Sequence, residues 1–229
     1  MKAHRSPAMS VKSRSYFSIP YLCGAARYAR EALALESAVP DADSPLVHRA
    51  YVISAVTAAA AALEAMINEA FADATESESS CVAGLSSDAR LKLATMWAVP
   101  KVSRLAILDK FDVAYLLATG SGLDRSHHRW RNASWVVRLR NDFVHFEPSW
   151  QEHGEREREE QDKVERALKG MFPENRLAGA ANPYFPDRLL GHGCAAWALT
   201  SALEFADHFW LSLGLAAPYK GYRHMLAAQ

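Results

Sequence analysis

Arg140 and His145 stand five residues apart, with Asn141 directly after the arginine, inside the stretch Leu139-Arg140-Asn141-Asp142-Phe143-Val144-His145-Phe146-Glu147-Pro148. Each type can do polar chemistry. An imidazole titrates near neutral pH and can take or give a proton. A guanidinium presents a planar fork of N–H donors that matches phosphate oxygens and stabilises charge developing on them. The Asn141 amide both donates and accepts. Around these residues lie Arg125, His127, His128, Arg129, Arg131 and Arg138, a basic stretch with few acids. It supplies a local positive field, with Arg129, Arg131 and Arg138 as the expected nucleic-acid contacts. Trp130 and Trp135 are interleaved with them and can stack on unpaired bases. The same cluster also reads as a solvated loop and helix start, and the tryptophans as packing residues.

The spacing of Val136, Leu139, Phe143 and Phe146 predicts a helix over 130–147 with those four side chains facing the core. Ser134, Arg138, Asn141 and His145 then form a polar stripe on the opposite side. Arg140 sits about 140° from His145 on an ideal helix. The two therefore meet on one ligand only through the long arginine stem, a distorted last turn, or a second subunit.

The elements that position this helix follow from the breakers. Helical segments are predicted at about 22–38, ended by Pro40; at 46–72, opened by Ser44 as cap and Pro45; and at 88–98 and 102–118, the last closed by Gly120-Ser121-Gly122. A polar loop is expected over 73–86, a charged exposed helix over 155–169, and a long irregular connection over 170–192. The final helix, 193–214, puts Leu199, Leu203, Ala206, Trp210 and Leu213 on one face. The class is all-α: one bundle of about six to seven helices. Flexible tails are expected at 1–18 and 215–229, with the helical domain over 19–214.

Composition removes several classes. The 229 residues are half hydrophobic and 23% charged, which excludes a disordered chain. Lys+Arg and Asp+Glu are both 26, so no bulk positive field coats nucleic acid and any polyanion site is local. Cys23, Cys81 and Cys194 form no C-x-x-C pair, which argues against a disulfide framework and for a reducing, cytoplasmic setting. His127, His128, His192 and Cys194 lack metal-ligand spacing, and Gly120-Ser121-Gly122 lacks the phosphate-loop pattern, so neither metal nor cofactor is expected. The alanine-rich run 51–67 is broken by Ser54, Thr57 and Glu64, which predicts a buried helix and no membrane partner.

The run LRNDFVHFEP resembles the R-x4-6-H motif of the HEPN superfamily, with Arg140 and His145 at its ends and a polar residue after the arginine. A weaker similarity lies in AALEAMINEAF and AAWALTSALEFADHF, so the resemblance spans roughly 46–214. It implies a metal-independent endoribonuclease in which the RNA 2′-hydroxyl attacks the adjacent phosphate. Arg140, Asn141 and His145 would be the catalytic residues, in a cleft shared by a homodimer. A toxin or defence effector, with an antitoxin protein as a further partner, is the implied setting. The alternative is a non-catalytic HEPN-like helical module that binds RNA, nucleotide or protein. A third reading is a structural bundle whose motif is an interface salt-bridge network, since Asn141 and His145 also suit an ordinary i,i+4 pair.

Overall fold

The computed structural model describes residues 13–39, 41–76, 80–147 and 163–229. The chain is all-helical, and among the described residues no strand forms. The main helices are α1 (Ser18–Ser37), α2 (Ser44–Asp73), α3 (Ser87–Trp97), α4 (Ile107–Thr119), α5 (His128–Val144) and α6 (His192–Ser212). Short turns at Val102–Arg104, Tyr184–Arg188 and Lys220–Met225, and a helical stretch over 163–168, fill the connections.

Alanine decides how the bundle packs. α1 buries Ala25, Ala26, Ala29 and Ala32 beside Leu22, and α2 buries Ala55, Ala58, Ala59, Ala60 and Ala62, so the two backbones run close together over most of their lengths. α2 also touches α3, α4, α5 and α6. Its remaining buried residues, among them Val56, Leu63, Met66, Ile67 and Phe71, point in several directions, as a helix surrounded by others requires. Among the described residues it is the one helix long and apolar enough to cross a membrane, and half of its apolar window is covered by its neighbours. Aromatic edges lock the far side. Phe111 of α4 meets Phe205 and Phe209 of α6 at 5.0 and 4.8 Å, and Trp130 of α5 meets Phe205 at 5.9 Å.

The boundaries differ from expectation where side-chain chemistry or docking takes over. α2 is entered through Asp43, and the Asp41 carboxylate accepts the Ser44 N–H at 2.8 Å and the Ser44 hydroxyl at 2.6 Å. A carboxylate holds more acceptor sites than a hydroxyl, so Asp41 organises the turn expected of Ser44. Pro40 lies outside the described residues, as does 155–162 of the charged segment; its remainder buries Val164 and Leu168. α5 ends at Val144, because a residue before proline disfavours helical backbone and Glu147 precedes Pro148. Phe146, expected in the core, is 55% exposed.

Residues 1–12 of the expected N-terminal tail lie outside the described residues, but 13–18 and 215–229 pack onto the bundle. Tyr16 donates to Asp73 at 2.7 Å, and Glu69 accepts the Phe17 and Ser18 N–H groups at 2.6 and 2.9 Å, so docking begins well before residue 19. In place of a tail over 215–229, Tyr219 is fully buried and donates to Asp207 at 2.7 Å, while Arg30 donates to the Ala227 carbonyl. The buried Tyr219 ring, with its hydroxyl satisfied, and buried Leu226 contribute to offsetting the entropy of ordering the segment. The loop after α2 is held too, since Cys81 N–H donates to buried Asp73 at 3.1 Å. The 170–192 connection closes on itself through an Arg188–Glu174 fork at 2.7 and 3.0 Å and Asn175 N–H to Arg188 carbonyl at 2.8 Å.

Two measurements check this packing. A Cβ on Gly193 would lie 2.3 Å from the Pro173 carbonyl oxygen, whereas one on Gly221 meets nothing within 4 Å. Gly193→Ala is expected to lower the unfolding free energy in urea by about 1–3 kcal/mol, and Gly221→Ala to change it by less than about 0.5. Burial pushes the Glu36 carboxyl up, but hydrogen bonds from His48 Nε2 at 2.9 Å and the His192 N–H at 2.6 Å outweigh it and hold the group below its ordinary range. A depressed carboxylate stabilises the fold above its ordinary value near 4.5 and loses that contribution as pH falls through the lower folded value. Glu36→Gln should therefore flatten the acid limb of stability against pH, read from urea midpoints between roughly pH 2 and 5.

Candidate functional site

Ala133, Val136 and Leu139 are buried and fix α5 by its inner face against α2 and α6. That rotation sends Arg140 sideways, toward α2. Its Nη2 lies 3.5 Å from Glu64 Oε2, with a quarter of the side chain exposed. The other Glu64 oxygen is 3.3 Å from Lys110 Nζ of α4, which also donates to Asn68 Oδ1 at 3.0 Å. Lys110 is fully buried. A buried ammonium needs a carboxylate and a second acceptor, and Glu64 and Asn68, one helical turn apart on α2, supply both. The result is a polar chain from α5 through α2 to α4. Arg140 Nε is buried and has no partner, so this guanidinium keeps donor capacity in reserve.

Asn141 and His145 occupy the other side of the helix, and both are exposed. His145 leaves helical geometry at φ −108° and ψ 29°, with its N–H still donating to the Asn141 carbonyl at 2.9 Å. The backbone joins them, and among the described residues no hydrogen bond links the two side chains. No hydrogen bond links the Arg140 and His145 side chains among the described residues. Within one chain, then, the structure groups Asn141 with His145 and sets Arg140 apart, as the angle on an ideal helix requires.

The basic stretch is partly neutralised. Arg125 is held by Asp112 at 2.7 Å and Asp109 at 3.1 Å, and its guanidinium lies 5.1 Å from the Trp130 ring centre. With Phe205 at its edge, Trp130 is a packing residue. Arg138 lies over Trp135 at 4.7 Å and 3.9 Å from Asp142. Arg131 is exposed, and Arg129 is half-buried at the start of α5. His127 rests against His128 and His208, ring centres 4.4 and 5.2 Å apart. Burial, together with Arg129 and the two neighbouring imidazoles, holds His208 below the ordinary histidine range. Among the described residues no three His, Cys, Asp or Glu side chains converge as metal ligands. His192 Nδ1 lies 2.9 Å from the Ala29 carbonyl, and Cys194 is sealed in the core, its thiol pushed up to about 12 by burial.

Beside the Glu64 chain, between α2 and the start of α1, opens a cleft of about 350 Å³ walled by Phe17, Tyr21, Ala61, Glu64, Asn68 and Glu69. Glu64, Asn68 and Lys110 lie outside the residues expected at the site. Their signal was present as Glu64 and Asn68 at i,i+4, directly after the alanine-rich middle of α2, a pattern that needs a polar partner inside the bundle.

Removing the Glu64 carboxylate strands Lys110, so Glu64→Ala is expected to cost about 1–3 kcal/mol, less than a fully enclosed pair because Glu64 is 39% exposed. Lys110→Met, which removes the charge and keeps the volume, should cost less, and the double variant should recover most of the Glu64→Ala loss in a urea double-mutant cycle. Compared with protein-family models, with curated proteins and with solved structures, the chain finds no match.

Proposed function

We propose that this protein is a HEPN-like, metal-independent endoribonuclease whose site is completed by a second copy of the chain. The observation that carries the reading is the arrangement on α5: an imidazole and an amide exposed at its open end, and one turn back an arginine with an unused donor. Val144 and Phe146, which flank His145, are 58% and 55% exposed, an apolar border suited to a second copy. In the proposed reaction the 2′-oxygen forms a bond to phosphorus and the bond to the 5′-oxygen breaks. One neutral His145 accepts the 2′-hydroxyl proton, and the protonated His145 of the other copy donates a proton to the departing 5′-oxygen. The products are a 2′,3′-cyclic phosphate and a 5′-hydroxyl. Arg140 stabilises the extra charge on the phosphorane, and Asn141 orients an imidazole. Exposed Arg131, with Arg129 and Arg138, guides the RNA backbone. A cytoplasmic toxin or defence effector held by an antitoxin protein is the setting we infer, and the three unpaired cysteines suit a reducing compartment.

A specific observation favours a second reading. Arg140 is paired with Glu64 on α2, away from His145, which suits a helical module that binds RNA, nucleotide or protein without turnover.

Labelled single-stranded RNA incubated with the protein in EDTA decides between them. Cleavage is expected, with a substrate bearing a 2′-deoxy group at the scissile position left intact. His145→Ala should slow cleavage by roughly 10²–10⁴-fold, and exposed Asn141→Ala by less. An uncut RNA that nonetheless binds, or cleavage equally fast in His145→Ala, overturns the ribonuclease reading.

A further inference from the structure

The cleft between α1 and α2 contains two carboxylates with different obligations. Glu69 is consumed by the start of α1, accepting the N–H groups of Phe17 and Ser18 and the Ser18 hydroxyl. Glu64 spends one lone pair on Lys110 and one on Arg140, and its side chain is 39% exposed. A carboxylate offers about four acceptor positions, so Glu64 has two left for a ligand. Asn68 gives its oxygen to Lys110 and keeps its two amide N–H donors. The wall is aromatic: Phe17 and Tyr21 are 57% and 41% exposed, with ring centres 6.3 Å apart.

These features select a ligand class. Lys110 and Arg140 balance Glu64 and Glu69, so a purely cationic ligand gains nothing from the net field, and a bare anion meets the Glu64 carboxylate. What fits is a flat, neutral ring with N–H donors on one edge, carrying a phosphate that reaches Arg140. A volume of about 350 Å³ lies at the small end of ligand pockets and holds one nucleotide. Among the bases, guanine alone presents two adjacent donors, N1–H and the 2-amino group, that can pair side by side with a carboxylate, and its O6 beside them accepts from an amide such as Asn68. Adenine, cytosine and uracil each place an acceptor where the second donor is needed.

We infer that this cleft is a guanine-binding site, with the base stacked on Phe17 and Tyr21, its donor edge on Glu64, and its phosphate at Arg140. The inference rests on the ribonuclease reading for its substrate: the guanine is the base of the RNA nucleotide whose phosphate meets Arg140.

Binding is measured without catalysis by titrating the full chain with guanosine 3′-monophosphate, inosine 3′-monophosphate, the adenine, cytosine and uracil analogues, and arginine amide. Guanosine 3′-monophosphate is expected to bind at least tenfold tighter than each of the others, inosine included, because inosine lacks the 2-amino donor. Phe17→Ala and Tyr21→Ala, both at exposed positions, should each weaken it by roughly 5-fold to 100-fold with an unchanged melting temperature. Glu64→Gln should erase the preference for guanosine over inosine. Equal binding of all four bases, tighter binding of arginine amide, or guanosine binding indifferent to Phe17→Ala and Tyr21→Ala overturns the inference. Two readouts separate it from the reaction. His145-dependent cleavage that ignores guanine sinks the base site alone, whereas selective guanosine binding without cleavage keeps the site and sinks the ribonuclease.

Discussion

A lysine ammonium sealed inside a helical bundle must be met by negative charge and by acceptors for its hydrogens, or the helix carrying it does not pack. Lys110 imposes that condition here. Glu64 and Asn68 lie one turn apart on α2 and satisfy it, which fixes how α4 sits against α2. Because the same carboxylate also reaches Arg140, the requirement passes to α5 and sets the direction of the motif arginine. One buried charge thus relates three helices and the edge of the cleft between α1 and α2.

The alanine interface makes this possible. Residues such as Ala55, Ala59 and Ala62 on α2 and Ala25, Ala29 and Ala32 on α1 are fully buried, so α1 lies close along one side of α2. Larger side chains are then concentrated on the other side, where Phe111, Phe205 and Phe209 meet edge to face. With a tight small-residue seam on one flank and aromatic bulk on the other, α2 presents Glu64 and Asn68 at the boundary between buried Lys110 and the open cleft. A carboxylate there serves an interior cation through one oxygen while remaining accessible through its free lone pairs.

The helices were legible because their punctuation is local. Proline and glycine mark ends, and alternation of apolar positions at 3–4 spacing marks faces, which is why Val136, Leu139, Leu199 and Ala206 fall in the core as their spacing predicts. The misread positions depend on partners distant in sequence or on the geometry of an end. Phe146 follows the helical period but lies beyond Val144, where the helix stops. Tyr219 lies in a short segment after Pro218 with no sustained helical period, and only the Asp207 carboxylate on α6 reveals why it is buried. Lysine is so seldom enclosed that nothing near position 110 in the sequence signals burial; the explanation lies on α2. The candidate site follows the same rule. Arg140, Asn141 and His145 were legible as residue types at a spacing, whereas the carboxylate that aims Arg140 was not.

The separation of Arg140 from His145 within one chain has an energetic side. The Arg140–Glu64 contact is 3.5 Å long and joins side chains that are 25% and 39% exposed. Pairs of that kind contribute about 0–1 kcal/mol, because water screens them and holding two long side chains costs entropy. Releasing Arg140 does not strand Lys110, whose ammonium is served by the other Glu64 oxygen and by Asn68. A phosphate with two charge-assisted hydrogen bonds to offer competes well against so weak a contact. It also gives the buried, unpartnered Nε a reason to turn outward. The guanidinium is therefore held loosely by a carboxylate that is itself held tightly, an arrangement that keeps the arginine oriented when no anion is present and lets one draw it away without disturbing the core.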